Sequence, residues 1–333
     1  MSFPGISVSP PLEDWPEWPV YGLIDDIRPA LRALLAGTRP FALATLVEVA
    51  GSSPRPLGSQ MLIAEDGRVW GYVSGGCVEA DVALRARTVM GTGTPETVYY
   101  GTDSGNWDIQ LTCGGTIGIF VQRADPGDPA LRDIVEAGAA RRAAALSIDL
   151  KTGALNAREA PEDAPESGLE GDRFVRMYTP PIRLLITGGD PVALALAELA
   201  GPLGMAVHIN RPSGPSAAPD VLAPGAYHAG SATEFLDGMG LDPWTAVVCV
   251  SHDLDLDHEV LRRALCAPAL YTGALGSRRW LGERLDRLRA DGVPEAALVR
   301  LRTPVGLDIG ARTAAEIALA ILADIVAARG ARP

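Results

Sequence analysis

Two glycine-rich stretches each carry a cysteine: Ser74-Gly75-Gly76-Cys77-Val78-Glu79 and Leu111-Thr112-Cys113-Gly114-Gly115. Paired glycines let a backbone turn sharply and come close to a ligand. A cysteine beside such a turn presents a soft sulfur that can ligate a metal or carry a persulfide. Val78 to Met90 reads as a helix, so Cys77 stands near a helix N-terminus, where partial positive charge favours a thiolate. The plainer alternative is that both cysteines are small core residues, as free cysteines commonly are. Upstream stands Gly51-Ser52-Ser53-Pro54-Arg55-Pro56-Leu57-Gly58, after the apolar strand-like run Phe41 to Val49. Flanking prolines stiffen Arg55. The hydroxyls of Ser52 and Ser53, free amides and one guanidinium make an anion-holding composition; the plain alternative is a turn with a surface arginine.

The second half of the chain repeats one arrangement, a strand that runs into a loop and then a helix. Gly188-Gly189-Asp190-Pro191-Val192-Ala193 follows the strand run Ile182 to Thr187 and opens a helix, Ala193 to Leu203. A dinucleotide fingerprint, G-x-G-x-x-G/A, belongs here. The spacing puts Gly188 at its first glycine, Asp190 at its second and Ala193 at its third. The second glycine lets the backbone reach a pyrophosphate, and Asp190 brings a negative side chain there instead. Asn210-Arg211 stands where the acidic ribose ligand belongs. The pattern predicts a Rossmann-like fold and argues against NAD(P) as a cofactor.

Ser251-His252-Asp253-Leu254-Asp255-Leu256-Asp257-His258 holds two imidazoles and three carboxylates. We read His252 and Asp253 as pocket residues at the carboxyl edge of the sheet, and Asp257 as the N-cap of a helix Glu259 to Leu265, in preference to a metal cluster. Gly273-Ala274-Leu275-Gly276-Ser277-Arg278-Arg279 also leads from a strand into a helix, where amides, Ser277 and Arg278 suit a phosphate. Pro304-Val305-Gly306-Leu307-Asp308-Ile309-Gly310 is a third such loop, and Thr313 with Glu316 is spaced as a capping box.

Apart from the Gly188-Gly189-Asp190 loop, where relatives more often keep the glycines, these pieces, with Met61-Leu62 and Glu316-Ile317-Ala318, occur in an order that resembles the XdhC/CoxI family from about Leu23 to the last helix. The resemblance implies an accessory protein for molybdenum hydroxylases of the xanthine dehydrogenase or CO dehydrogenase type. Such a protein binds the molybdenum-pterin cofactor, supports its sulfuration and delivers it to the apo-enzyme. The partners implied are that apo molybdenum hydroxylase and a cysteine desulfurase, with a homodimer as the assembly. The role is that of an insertion chaperone rather than a catalyst. The candidate cofactor-binding residues are Ser52, Ser53, Arg55, Gly75, Gly76, Cys77, Glu79, Cys113, Gly114, Gly115, Gly188, His252, Asp253, Gly276, Ser277 and Arg278. Cys77 and Cys113 are the candidate metal ligands. The rival reading is an NAD(P)-dependent oxidoreductase that uses the C-terminal domain. A third is a scaffold that acts through protein contacts, with Trp15 and Trp18 as docking aromatics.

The elements that must position these residues fall into an α/β chain of two domains. An irregular arm spans 1–20. An N-terminal α/β domain of XdhC/CoxI type spans 21–180 and contains an exposed acidic loop at about 156–172. A Rossmann-like parallel-sheet domain spans 181–333. In the first domain the periodicity predicts helices over Tyr21 to Ala36 and Asp133 to Ala144. A chain of 333 residues with 47% hydrophobic content can bury two cores. A formal net charge of -12 argues against nucleic acid and anionic membrane as partners. Of 29 lysines and arginines only Lys151 is a lysine. That excludes a P-loop lysine, and a Schiff-base lysine elsewhere. Cys77, Cys113, Cys249 and Cys266 show no CxxC spacing. Met1 to Trp18 lacks the basic and apolar regions of a signal peptide, and the last helix is interrupted by Glu316 and Asp324. A reducing cytoplasm is the expected location.

Overall fold

The computed structural model of the chain describes residues 15, 18–101, 111, 114–162, 164–251, 253–276 and 281–330. It divides into two compact units, Met1–Pro180 and Pro181–Pro333. The first 14 residues of the expected arm lie outside the described residues.

In the first unit a 3₁₀ turn, Val20–Leu23, is followed by α1 (Arg28–Leu35), β1 (Phe41–Ala50), β2 (Gln60–Ala64), β3 (Val69–Gly71), α2 (Glu79–Thr92), β4 (Glu96–Tyr100) and β5 (Thr116–Ala124). Then come α3 (Pro129–Ala139), β6 (Ala144–Asp149), β7 (Leu155–Glu159), β8 (Gly168–Glu170) and β9 (Arg173–Tyr178). Among the described residues these strands form two antiparallel sheets, β3-β2-β1-β5-β4 and β7-β6-β9-β8. The middle strand β1 is buried on both faces, and its period of two divides its side chains between them. Ala42, Ala44 and Leu46 join the core that α2 covers, while Phe41, Leu43 and Val47 join the core shared with α1, α3 and the second sheet.

Three local expectations are corrected here. The helix expected over Tyr21 to Ala36 is a 3₁₀ turn and a separate α1, because Pro29 belongs in the first turn of a helix. The helix expected over Asp133 to Ala144 begins earlier, at Pro129, and ends at Ala139. Asp128 caps it by accepting from Ala130 N at 2.8 Å, and Ala144 opens β6. The acidic stretch 156–172 is not all loop: most of β7 and all of β8 lie in it, held by ladder pairing to β6 and β9, with Ala157 of β7 packed against the core.

The second unit contains β10 (Arg183–Thr187), α4 (Pro191–Ala200), β11 (Ala206–Asn210), β12 (Tyr227–His228), α5 (Ala232–Met239), β13 (Thr245–Cys249) and α6 (Leu254–Leu265). It closes with β14 (Tyr271–Ala274), α7 (Leu281–Ala290), α8 (Glu295–Leu298), β15 (Leu301–Arg302) and α9 (Ala314–Gly330). Among the described residues every strand pair of this unit is parallel, in the order β12-β11-β10-β13-β14-β15. This is the Rossmann order, which reverses between β10 and β13, the place where open α/β sheets receive ligands. Leu184 and Ile186 point to the core under α4 and α9, and Leu185, Val247 and Cys249 to the opposite core under α5 and α6. The sheet is thus doubly wound. Among the described residues no helix is long and apolar enough to cross a membrane.

Candidate functional site

The three N-terminal motif loops meet at one end of the five-stranded sheet. Ala50, the last residue of β1, pairs with Thr116, the first of β5, so the loops beyond them leave side by side. The contact leaves no room for a side chain. A Cβ on Gly115 would lie 2.1 Å from the Ser52 carbonyl oxygen. The loop before α2 joins them, since a Cβ on Gly75 would lie 3.5 Å from the Pro54 ring. Gly75 and Gly76 have φ of +103° and +105°, a conformation that favours glycine. Ser52, Gly75, Gly76, Cys77 and Gly114 are exposed on this rim, and Gly115 is buried beneath it. Cys113 lies outside the described residues.

Glu79 faces the other way. Its side chain is buried, at 0% exposure. One carboxylate oxygen accepts from the amides of Val73 (3.1 Å), Ser74 (2.8 Å) and Gly75 (3.2 Å). The other accepts from Ser74 Oγ (2.7 Å) and the amides of Gly76 (2.9 Å) and Val78 (3.2 Å). Ser74 Oγ in turn accepts from the amides of Cys77 and Val78. The loop is therefore wound around its own carboxylate. Burial and the Glu79 charge together push the neighbouring Tyr21 phenol up to about 12. The sequence suggests that the start of α2 would favour a thiolate at Cys77. The structure turns the amides of the loop before α2 inward, on to Glu79 and Ser74, and leaves Cys77 exposed on the outer side. Glu79, expected to touch a ligand, is instead the internal anchor of the loop that carries Cys77.

Ser53 closes its own loop, donating Oγ to the Arg55 carbonyl at 2.9 Å and accepting from the Arg55 amide at 3.2 Å. Arg55 lies over the Tyr72 ring, 4.1 Å from its centroid, and donates to Tyr72 Oη and to Asp25. Neither Tyr72 nor Asp25 is marked by spacing in the sequence. Trp15 packs against Tyr21 at 5.3 Å between ring centroids, and Trp18 is exposed.

In the second unit Gly188 is buried, with φ of +137°; a Cβ there would lie 2.7 Å from the Val250 carbonyl carbon. It lets the loops leaving β10 and β13 pack together. Asp190 is the N-cap of α4 and accepts from Ala193 N at 3.0 Å. A carboxylate of the chain thus occupies an amide that a pyrophosphate would use. Asn210 is buried and donates to the carbonyls of His228 and Gly230, so it ties down the chain beyond β12.

The assignment of caps in the next loop is corrected. Asp253, not Asp257, caps α6, accepting from Asp255 N and Leu256 N at 3.0 Å each. The helix starts at Leu254, a full turn before the expected Glu259, and this carries Asp257 inward. Asp257 is 1% exposed, accepting from Ser251 Oγ at 2.6 Å and from Arg284 at 3.2 Å. Burial lifts its carboxyl above the usual range, against the pull of Ser251 and Arg284. Asp255 pairs with Arg287 and His258 with Asp291. Among the described residues no group of three or more His, Cys, Asp and Glu side chains is placed to hold a metal. Cys249 is 0% exposed, and burial, then Asp257, pushes its thiol well up. Gly276 is exposed at the mouth of the loop after β14; His252, Ser277 and Arg278 lie outside the described residues.

The profile described as the XdhC and CoxI family matches residues 34–101, and that of the XdhC Rossmann domain matches residues 184–325. The molybdenum cofactor insertion chaperone PaoD of Escherichia coli (strain K12) is 34% identical, over 92% of this chain and 90% of its own. A probable xanthine dehydrogenase subunit of Bacillus subtilis (strain 168) is 28% identical, over 90% of this chain and 96% of its own. A crystal structure described as a xanthine dehydrogenase from Bacillus halodurans superposes with a TM-score of 0.72 at 27% identity, covering 92% of this chain and 96% of that one. The two-unit architecture, the glycine–cysteine rim and these likenesses place the chain in the XdhC/CoxI family.

Proposed function

We propose that this protein is an accessory factor of the molybdenum cofactor: it holds the molybdenum-pterin cofactor as cargo, supports its sulfuration and delivers it to a molybdenum hydroxylase. The observation that carries the reading is the rim where three loops present exposed Cys77 beside Ser52, Gly75, Gly76 and Gly114. The donor set suits such cargo. Because Glu79 takes the loop amides, the rim offers a soft sulfur at Cys77 rather than a nest for a hard anion. Hydroxyls and a guanidinium stand one loop away, at Ser52, Ser53 and Arg55, for the polar end.

Cys77, together with Cys113, ligates the metal or carries the incoming sulfur. Glu79 acts indirectly, by holding Cys77 in place. In the second unit Gly276, His252, Ser277 and Arg278 are proposed as ligand-binding residues in their own right. Gly188 and Asp253 shape the carboxyl edge of the sheet through packing and capping. The partners are an apo molybdenum hydroxylase and a cysteine desulfurase that supplies sulfur, and the working assembly is a homodimer in the cytoplasm. We propose that NAD(P) is not bound in the usual Rossmann manner, because Asp190 brings its charge to the pyrophosphate position. The two domains of this function are 21–180 and 181–333.

The test is purification of the full chain from a host that makes the cofactor, followed by molybdenum and pterin analysis. Wild type is expected to retain both, and Cys77→Ser to lose them with an unchanged melting temperature. Equal loading of the two proteins, or a wild type without either component, overturns the reading.

A further inference from the structure

The guanidinium of Arg55 is fixed on all sides but one. Its side chain is 16% exposed and stacked on Tyr72, and its Nε is buried without a partner. The carboxylate that meets its outer side belongs to Asp25, whose side chain is 78% exposed. A second arginine backs on to the same loop: a Cβ on Gly58 would lie 2.7 Å from Arg176 Cδ. Arg176 donates to Ser167 Oγ at 3.2 Å and to the Met177 carbonyl at 2.8 Å, and lies 5.0 Å from the centroid of buried Tyr178. Its Nε is likewise buried without a partner, and among the described residues it pairs with no carboxylate. A third arginine, Arg28, pairs with Asp26 at 2.8 Å and donates to the Thr179 carbonyl, although its Nη1 is also buried without a partner. Burial pulls Arg176 below the usual arginine range, and the charges of Tyr178 and Asp25 draw it back up. Three guanidiniums thus share two carboxylates in a chain whose net charge is -12.

We infer that Arg55, backed by Arg176, is a receiving site for a phosphate monoester, and that Asp25 holds the place until the phosphate displaces it. The magnitudes favour exchange. An ion pair with one well-exposed partner is worth about 0–1 kcal/mol, so little is lost when Asp25 swings away. A phosphate brings roughly twice the charge of a carboxylate and three acceptor oxygens, which suits a guanidinium fork. It also brings the negative charge that Arg176 lacks. The placement rests on the proposed cargo only for the identity of the ester: Pro54, next to Arg55, touches the Gly75 turn, so the site would take the phosphate end while Cys77 faces the metal end.

The experiment titrates the full chain with inorganic phosphate at constant ionic strength, with chloride as the control. Phosphate should bind wild type. It should bind Asp25→Asn about fivefold or more tightly, and Arg176→Gln about tenfold more weakly, changes of roughly 1–1.4 kcal/mol. Asp25 is exposed, so its substitution leaves the fold intact. If Arg176→Gln does not fold, the Asp25→Asn comparison decides alone. Unchanged or weaker phosphate binding by Asp25→Asn, or equal binding by folded Arg176→Gln, overturns the inference. The outcome is separable from the cargo reading. A chain that binds phosphate as described but carries no molybdenum or pterin keeps this site and loses that function. A loaded chain indifferent to Asp25 and Arg176 does the reverse.

Discussion

At the start of α2 and at the start of α4 a carboxylate of the chain occupies amides that could otherwise receive a ligand anion, but the two sit at different depths. Glu79 is wholly buried and takes six donors, whereas Asp190 is half-exposed and takes the amide of Ala193. A buried carboxylate with many donors is part of the fold, because each donor left unpaired in the interior costs about 1–3 kcal/mol. A half-exposed cap is worth about 1 kcal/mol and leaves its helix intact when lost. Equivalent places in the two units therefore differ in kind: at the start of α2 the carboxylate is an interior support for the loop that carries Cys77, and at the start of α4 it is a half-exposed helix cap.

The largest effect should come from the buried member. Glu79→Ala leaves several loop amides without an acceptor and should destabilise the first unit by about 3 kcal/mol or more, read as a drop in its denaturation midpoint. A loss below about 1 kcal/mol would remove the distinction of depth. The support that Glu79 gives can be read at the sulfur. Cys77 should react with a mild alkylating agent at neutral pH about a hundredfold faster than Cys249, which must await local opening to be reached. Comparable labelling of the two would show that the loop does not hold Cys77 outward.

For the exposed member, Asp190→Gly should raise NAD affinity about tenfold in calorimetry, roughly 1.4 kcal/mol, at a stability cost of only a few tenths of a kcal/mol, since glycine is itself an acceptable N-cap. If NAD already binds wild type at micromolar concentration, Asp190 is not a closing charge. The smallest effect concerns a third carboxylate, Asp257. Its folded pKa is raised above the unfolded value, so the protonated form is favoured in the folded chain. Its stabilising share is fully present below the unfolded value of 3.8 and is lost as pH rises through the raised folded value. Denaturation across that window should show stability falling with pH in wild type and a flatter profile in Asp257→Asn. An identical slope in both would assign the fall to other groups.

Much of this was legible in the chain alone, and the failures have identifiable causes. Strand runs such as Gln60–Ala64 and the strand–loop–helix alternation after Pro181 are short-range patterns that burial leaves unchanged. The start of α6 was misplaced because Asp253, Asp255 and Asp257 are all competent caps. The one that caps was settled by the other end of the contact, Arg284 on α7, which draws Asp257 inward. β7 was hidden because only Leu155 and Ala157 make its inward face, too short an alternation to stand out among polar neighbours; its place is set by ladder bonds to β6.

The candidate site divides in the same way. The residue types determined that three loops rich in glycine, hydroxyl and thiol groups would stand at strand ends, because glycine, proline and capping residues act on their immediate neighbours. They also determined that the Gly188-Gly189-Asp190 turn departs from a nucleotide fingerprint. Only the tertiary structure decided which way each charged group points. Glu79 turns inward because the positive φ of Gly75 and Gly76 closes the loop around it inside the core of the first unit. Arg55 finds Asp25 and Tyr72, 30 and 17 residues away, because the strands on either side bring those segments together. Such contacts depend on packing between elements distant in the chain, and no local spacing encodes them.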